Sequence, residues 1–241
     1  MDLGIAGRTA LVTAASKGLG RASAMALRAD GVNVVICGRG RDAVEAAVAD
    51  LGGPDHALGL VQDVTEPDAP AHLVAATVER FGGLDILVAN AGGPPPGRAF
   101  DVSDAQIDAA VNANLTTSVR LVREALPHMQ ARGWGRVCCI TSYSVKQPIP
   151  TLALSNLART GLWAWAKTAA EDVAGSGITI NLACPGTHAT DRMKQLGGGD
   201  VSTMGDPADF GRVVAFLCSQ PAGYVNGVAL QVDGGAIVGL L

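Results

Sequence analysis

The segment Thr13-Ala14-Ala15-Ser16-Lys17-Gly18-Leu19-Gly20 has residue types and spacing that could bind phosphate. Small residues let a backbone turn approach the pyrophosphate of a dinucleotide, and the N–H groups at the start of the following helix can bind it. Taken alone, such a turn is equally compatible with an ordinary glycine-containing connection between a strand and a helix. It therefore predicts a nucleotide site only together with other signals.

Two further segments supply those signals. Asp63-Val64 follows a third apolar run, where a carboxylate could accept from an adenine amino group. Asn90-Ala91-Gly92-Gly93 follows a fourth, where compact residues let the backbone run beside a ribose. The joint occurrence of the three segments predicts a dinucleotide site.

A second group of residues could move a proton. Ser142 ends a fifth apolar run, and Lys146 stands four residues later at the expected border of a cleft. An ammonium beside a hydroxyl could act as a general acid, although Lys146 could equally be a solvated surface residue. Tyr143, which could instead be structural, and His188, which titrates in the useful range, are alternative donors.

Strands and helices must alternate to bring these residues together. Short apolar runs predict seven strands, at 8–13, 32–37, 57–62, 84–89, 137–141, 178–183 and 228–232. Helical patterns lie between them, including long helices over about 103–132 and 154–174 and a shorter one over 207–219. We expect a single α/β domain over residues 1–241: a doubly wound (Rossmann) parallel seven-stranded sheet with helices on both faces and ligands at the carboxyl ends of the strands.

The composition excludes several classes of protein. The chain is 48% hydrophobic and 17% charged, with a net charge of −4 and scattered basic residues, which argues against disorder and a nucleic-acid partner. No apolar run is long enough to span a membrane, and we expect a cytoplasmic protein. The five cysteines have no metal-ligand spacing, so we expect them to be reduced and buried, with no metal site.

From the Thr13 turn to the closing Val232-Asp233-Gly234-Gly235, the chain resembles the short-chain dehydrogenase/reductase family, most of all its 3-oxoacyl-carrier-protein reductases. The resemblance implies roles for three further places. Asn114 would be a proton-relay residue, Ser142 a donor to the substrate carbonyl, and Pro185-Gly186 with Thr190 would contact the nicotinamide.

The sequence departs from the family where a Tyr-x-x-x-Lys pair is usual. Thirteen residues after Ser142 stands Ser155, and four residues later Arg159. An aliphatic hydroxyl is a poor acid, and a guanidinium cannot pass on a proton, although it can bind an anion or a ribose hydroxyl. We therefore expect Arg159 to bind the cofactor, at its nicotinamide ribose or its pyrophosphate. With Ala14 in place of the usual first glycine, the chain resembles a divergent subgroup that lacks the full glycine motif and catalytic tetrad.

These observations predict an NADP(H)-dependent oxidoreductase that interconverts a small-molecule carbonyl, of 3-oxoacyl type, and a secondary alcohol. NADP(H) is favoured over NAD(H) because Gly38-Arg39 stands where a carboxylate would select NAD(H), with Lys17 nearby. Two alternatives remain open: a non-catalytic dinucleotide-binding subunit or sensor, and a lyase or epimerase.

Two expectations concern assembly and a lid. The helices over 103–132 and 154–174, with the apolar stretch Leu162-Trp163-Ala164-Trp165, predict a homodimer or homotetramer. The short segment 191–205, which contains Gly197-Gly198-Gly199, predicts a mobile lid over the substrate.

Overall fold

Seven short strands form one parallel sheet in the order β3-β2-β1-β4-β5-β6-β7 in the computed structural model, which describes residues 2–197 and 200–240. The strands are β1 (Thr9–Val12), β2 (Asn33–Gly38), β3 (Ala57–Val61), β4 (Ile86–Ala89), β5 (Gly135–Ile140), β6 (Ile178–Pro185) and β7 (Ala229–Val232). The central strands are buried along their whole length, as parallel strands covered on both faces must be. The predicted doubly wound sheet is confirmed, with strand ends that differ by one or two residues.

Eight α-helices in the described residues connect and cover the strands. They are α1 (Gly18–Ala29), α2 (Arg41–Asp50), α3 (Ala69–Phe81), α4 (Asp104–Val111), α5 (Thr117–Arg132), α6 (Ala153–Asp172), α7 (Asp191–Gln195) and α8 (Pro207–Leu217). The predicted helix over 103–132 is continuous in space but contains a π-helical turn over Asn112–Thr116. Ser103 caps its start: the hydroxyl accepts from the N–H of Gln106, whose side chain accepts from the Ser103 N–H.

The strands separate two apolar layers, because consecutive side chains point to opposite faces of a sheet. One layer packs α3, α5 and α6 against residues such as Leu87 and Cys139, and the other packs α1, α2 and α8 against Val88 and Cys138. All five cysteines are free and buried in these layers, as predicted.

The chain reverses direction across the sheet between β1 and β4. The first three strands add outward from β1 to β3, and the last four add outward from β4 to β7. The loops that leave β1 and β4 therefore diverge to opposite faces of the sheet and open a crevice at its carboxyl edge. No helix of the described residues is long and apolar enough to cross a membrane.

Candidate active site

A cleft of about 650 Å³ opens at the carboxyl ends of β1, β4, β5 and β6. Five segments line it: residues 14 and 17–19 after β1, 90–94 and 96 after β4, 140–143 after β5, 149–159 in part at the start of α6, and 185–196 in part after β6. Most residues that the sequence predicted for the cofactor and the reaction lie here: Ala14, Lys17, Gly18, Leu19, Asn90, Ala91, Gly92, Ser142, Ser155, Arg159, Pro185, Gly186 and Thr190.

The turns after β1 and β4 are locked together by hydrogen bonds. Thr13 is buried outside the cleft, and its hydroxyl donates to Asn90 O at 2.7 Å and accepts from Asn90 N at 2.8 Å. The Asn90 side-chain amide donates to Ala14 O at 3.2 Å. Ala14 itself has φ +46°, in the left-handed region that favours glycine. Thr13 is thus a positioning residue rather than a ligand contact.

The start of α1 fits a bound pyrophosphate. Lys17 precedes the helix with an extended backbone and caps it with no side-chain hydrogen bond, so the first N–H groups have no side-chain acceptor there. A Cβ on Gly18 would meet only Thr190 Cγ2, at 3.9 Å, and one on Gly92 would meet nothing within 4 Å. Gly20 is structural, because a Cβ there would lie 2.7 Å from Ala14 O. The cleft therefore offers backbone donors and open space where a dinucleotide would need them.

The residues predicted for the adenosine end lie at the carboxyl ends of β2 and β3, beside the cleft rather than in its lining. A Cβ on Gly38 would lie 2.7 Å from Ser16 Oγ, and Arg39 is exposed. The Asp63 carboxylate accepts from Thr65 N at 3.0 Å and from its hydroxyl at 2.8 Å. The Thr65 N–H and hydroxyl, together with the charge of Arg39, hold the pKa of Asp63 below its usual value.

Val64, the other residue predicted at this end, is buried in the apolar layer. Its side chain therefore packs with the protein core, which leaves its backbone as the part that can face a ligand.

Two residues that carry hydroxyl groups line the cleft directly after β5. Ser142 has an extended backbone, and its Oγ accepts from the N–H of Ser144 at 3.1 Å, which starts a 3₁₀ turn over Tyr143–Val145. Both Ser142 and Tyr143 line the cleft. Tyr143 therefore borders the same cleft as Ser142, the residue that was predicted to bind the carbonyl.

The first turns of α6 bring Ser155 and Arg159 to the same wall. Both are 7% exposed. Arg159 Nη1 donates to Ile140 O and to Thr141 O, each at 3.0 Å, which fixes the guanidinium against the end of β5. Burial, and to a lesser degree the charge of Arg192, lower the pKa of Arg159 to about 10.

Lys146 does not line this cleft, in contrast to its expected position. It lines a separate pocket with Trp163, and its Nζ stands 5.7 Å from the centre of the indole ring. The physical reason is the contact itself: the ammonium lies over the face of the Trp163 indole on α6, and this cation–π contact holds it away from Ser142.

Asn114 is also absent from the cleft lining. It is 2% exposed within the π-helical turn, its amide donates to Ala110 O at 3.5 Å, and its Oδ1 has no partner. The turn packs closely on α6, where a Cβ on Gly161 would lie 2.6 Å from Leu115. Helix α6 therefore separates Asn114 from the cleft, and any effect of Asn114 on a ligand in the cleft would have to pass through that helix.

His188 lines the cleft but is held rigidly. Its ring packs edge-on against Phe210 at 5.2 Å, and Nδ1 lies 3.2 Å from Gly186 O. Because a carbonyl only accepts, this contact places the proton on Nδ1. A Cβ on Gly205 would lie 2.8 Å from His188 Cδ2, so the opposite side is also closed.

Two charged residues of the cleft, Asp191 and Arg192, were missed from the sequence. Arg192 in α7 lines the cleft, and its Nη2 donates to Pro94 O at 2.6 Å. No motif marks it, because the contact joins two loops separated by 98 positions in the chain. Of the predicted lid, Gly198 and Gly199 lie outside the described residues, and its mobility stays a prediction.

A parallel sheet with a glycine turn, an uncapped helix start and a cleft at the reversal of strand order defines a dinucleotide-binding protein of Rossmann type. The family described as enoyl-(acyl carrier protein) reductase matches residues 13–236. The chain belongs to the short-chain dehydrogenase/reductase family. A relative in Homo sapiens, dehydrogenase/reductase SDR family member 4, is 33% identical over 96% of this chain and 88% of its own length.

Solved structures give the same result. L-sorbose reductase from Gluconobacter frateurii, complexed with NADPH and L-sorbose, has a TM-score of 0.91 and 29% identity, with 100% of both chains covered. A variant of actinorhodin polyketide ketoreductase with NADPH has a TM-score of 0.86 and 30% identity, over 95% of this chain and 96% of its own.

Proposed function

We propose that this protein is an NADP(H)-dependent oxidoreductase that interconverts a carbonyl of 3-oxoacyl type and a secondary alcohol. One observation carries the proposal: a single cleft is lined by the uncapped start of α1 and open glycine backbone on one side and by Ser142 and Tyr143 on the other. This arrangement suits a dinucleotide and a carbonyl compound bound side by side.

The first side would hold the dinucleotide. The N–H groups of Gly18 and Leu19 would bind the pyrophosphate, and the backbone at Asn90 to Gly92 would run along the ribose. Arg39 and Lys17, both exposed, are suited to a 2′-phosphate, and Gly38 places no carboxylate there to repel one. When bound, the nicotinamide supplies or accepts the hydride. Pro185, Gly186 and Thr190 would contact its ring end.

The second side would hold and protonate the carbonyl. The Ser142 hydroxyl would donate to the carbonyl oxygen and polarise it. Tyr143 would give the proton, because it lines the cleft and a phenol is a far better acid than the aliphatic hydroxyl of Ser155. We therefore assign the proton to Tyr143 rather than to Lys146, whose ammonium faces Trp163 in another pocket.

The active site would be atypical for the family. Ser155 and Arg159 would take the places of the usual tyrosine and lysine, with Ser155 as a hydrogen-bonding group and Arg159 as a fixed charge. Asn114 would take part in a proton relay only through contacts with α6, which separates it from the cleft. The same substitutions favour a second candidate, a dinucleotide-binding subunit without catalysis, since the usual acid is missing.

Absorbance of the nicotinamide during reaction with short 3-oxoacyl esters separates the two candidates. We expect NADPH oxidation that depends on the carbonyl compound and is lost in Tyr143→Phe. Tyr224→Phe is the matched control, because Tyr224 is fully exposed and lies outside the cleft lining. Tight NADPH binding without oxidation by any carbonyl of the panel would instead identify a non-catalytic protein.

We infer that the chain forms a homodimer or homotetramer through the helices over 103–132, which are α4 and α5, and over 154–174, which is α6. Leu157 on α6 is 49% exposed, and Trp163 and Trp165 on the same helix are partly exposed, which is more apolar surface than water favours. Sedimentation equilibrium at micromolar concentration should give two or four chains. A monomer would exclude this assembly.

A further inference from the structure

A second pocket, of about 560 Å³, lies between α6 and the loop that enters β7. It shares no described lining residue with the cleft. Ser155 and Arg159 on α6 line the cleft. Thr160, Trp163 and Lys167 on the same helix line the pocket instead. A dinucleotide bound in the cleft would therefore leave this pocket free.

The pocket is positively charged. Its described lining contains two ammonium groups, those of Lys146 and Lys167, and no carboxylate. In the part of the chain that the structure describes, neither ammonium has a carboxylate within ion-pairing distance. Because the whole chain has a net charge of −4, this local excess of positive charge is not a property of the surface in general. The pocket is electrostatically suited to an anion.

The ammonium of Lys167 is held in place by the loop before β7. Its Nζ donates to Gly227 O at 3.2 Å. Gly227 has φ +71°, and a Cβ there would lie 3.2 Å from both Cδ and Nζ of Lys167, so glycine lets the lysine lie across the loop. The Asn226 side chain fixes this loop, because it accepts from Ile180 N at 2.9 Å and donates to Ala170 O at 2.7 Å. An ammonium has three N–H donors, and this contact uses one of them.

The two lysines share Trp163 as a neighbour. Lys146 Nζ stands 5.7 Å from the centre of the indole ring. Lys167 follows Trp163 by four residues on α6 and therefore lies one turn further on the same face of the helix. The indole is partly exposed, and Val228 and Ala229 extend the apolar part of the lining. A flat aromatic ring packs well against such a surface.

We propose that this pocket is a second ligand site, which binds an aromatic carboxylate. The ring lies against Trp163, and the carboxylate pairs with Lys146 and Lys167. The ligand is bound and not converted, because neither Ser142 nor Tyr143 lines the pocket. The site adjoins the cleft all the same: Lys146 N donates to Tyr143 O at 3.0 Å, so the two sites lie at the two ends of one short turn.

Calorimetric titration with 2-naphthoate and 2-naphthamide tests the site without turnover. The two compounds have similar shape and differ in charge. We expect the NADP⁺-saturated protein to bind the naphthoate at least about 5-fold more tightly, as for one good ion pair at a partly exposed position. Equal binding of the two compounds, or no binding of either, would overturn the proposal. A pocket covered by another chain in the assembly would give the second of these results.

Lysine variants locate the bound naphthoate. Lys167→Gln should remove most of the preference for the charged compound, and Lys167→Arg, which keeps the positive charge, should retain it. Lys17→Gln is the matched control, because it removes the same group from the cleft and should leave the preference unchanged. Equal losses in Lys167→Gln and Lys167→Arg would show that the charge is not responsible and would overturn the proposal.

The cleft itself is the alternative place for the naphthoate. Competition between 2-naphthoate and NADP⁺, or a preference that is lost in Lys17→Gln and kept in Lys167→Gln, would place the compound there and overturn the proposal. Binding that is independent of NADP⁺ and depends on Lys167 would support it. Neither result depends on whether any carbonyl compound is reduced, so the site and the proposed reaction are tested separately.

Discussion

The two sides of the cleft are built from different chemistry. On the side of β1 and β4, the groups that face the cleft are largely backbone, exposed by small residues such as Gly18 and Gly92 and held by the Thr13–Asn90 hydrogen bonds. On the side of β5 and β6, they are side chains, among them Ser142, Tyr143 and Arg159.

This difference separates binding from chemistry. Backbone N–H groups can bind phosphate but are too weakly acidic to serve as general acids near neutral pH, so a reaction must depend on the side chains of the second side. Changes on the first side should therefore alter stability and cofactor affinity, and changes on the second side should alter the rate.

Tyr143→Phe should have the largest effect. Removal of a general acid is typically worth about 10²–10⁴ in rate, and the loss should fall on kcat with NADPH affinity unchanged. Steady-state kinetics with an active carbonyl compound measures it. Lys146→Met is the informative comparison and should keep most of the activity. An equal loss of kcat in both variants would contradict the assignment to Tyr143 and favour Lys146 as the proton donor.

Thr13→Val, on the first side of the cleft, should lower the stability of the protein. The substitution keeps the shape of the side chain but leaves Asn90 N and O without the hydroxyl, at a cost of about 1–3 kcal/mol in the free energy of unfolding. Urea denaturation measures it, and NADPH binding should weaken in parallel. Thr168→Val, whose hydroxyl lies at an exposed position on α6, should change little. Similar values for the two variants would show that the Thr13 contact does not hold the two turns together.

Arg39→Ser should separate the two cofactors. Loss of one charge-assisted contact to a 2′-phosphate should weaken NADPH binding about 10-fold and leave NADH binding unchanged. Fluorescence titration with both cofactors tests this, with Arg41→Ser as the control because Arg41 is also exposed. Equal weakening for both cofactors would mean that Arg39 does not contact a 2′-phosphate.

Ala14→Gly should have the smallest effect and the opposite sign. Alanine at φ +46° costs roughly 1–2 kcal/mol, and the greater freedom of glycine in the unfolded chain offsets part of the gain. We expect an increase of about 0.5 kcal/mol in the free energy of unfolding. Ala15→Gly, at a buried neighbour with no positive φ, should instead destabilise the protein. A loss of stability in Ala14→Gly would show that its backbone is not strained.

The first side of the cleft could be predicted well because backbone binding restricts residue type. A turn that must pass close to phosphate favours small residues at the points of closest approach, and this preference leaves a local pattern such as the one from Thr13 to Gly20. The strand order follows for a similar reason, since apolar runs must alternate with amphipathic helices to bury a parallel sheet.

The second side could be predicted only in part. Its residues meet through contacts between distant segments, and the direction of a side chain depends on turns that leave little pattern. Lys146 and Tyr143 differ by three positions, yet only Tyr143 lines the cleft. Arg192 gave no signal, because its place is set by Pro94 on another loop.

Transfer of deuterium from NADPH that carries deuterium at both positions of nicotinamide C4 to the carbonyl carbon tests the central claim most directly. Mass spectrometry of the alcohol formed from a 3-oxo acid should show one deuterium from the wild-type protein and a greatly reduced yield from Tyr143→Phe. An unlabelled alcohol, or a wild-type protein that binds NADPH and forms no alcohol from any carbonyl compound, would contradict it.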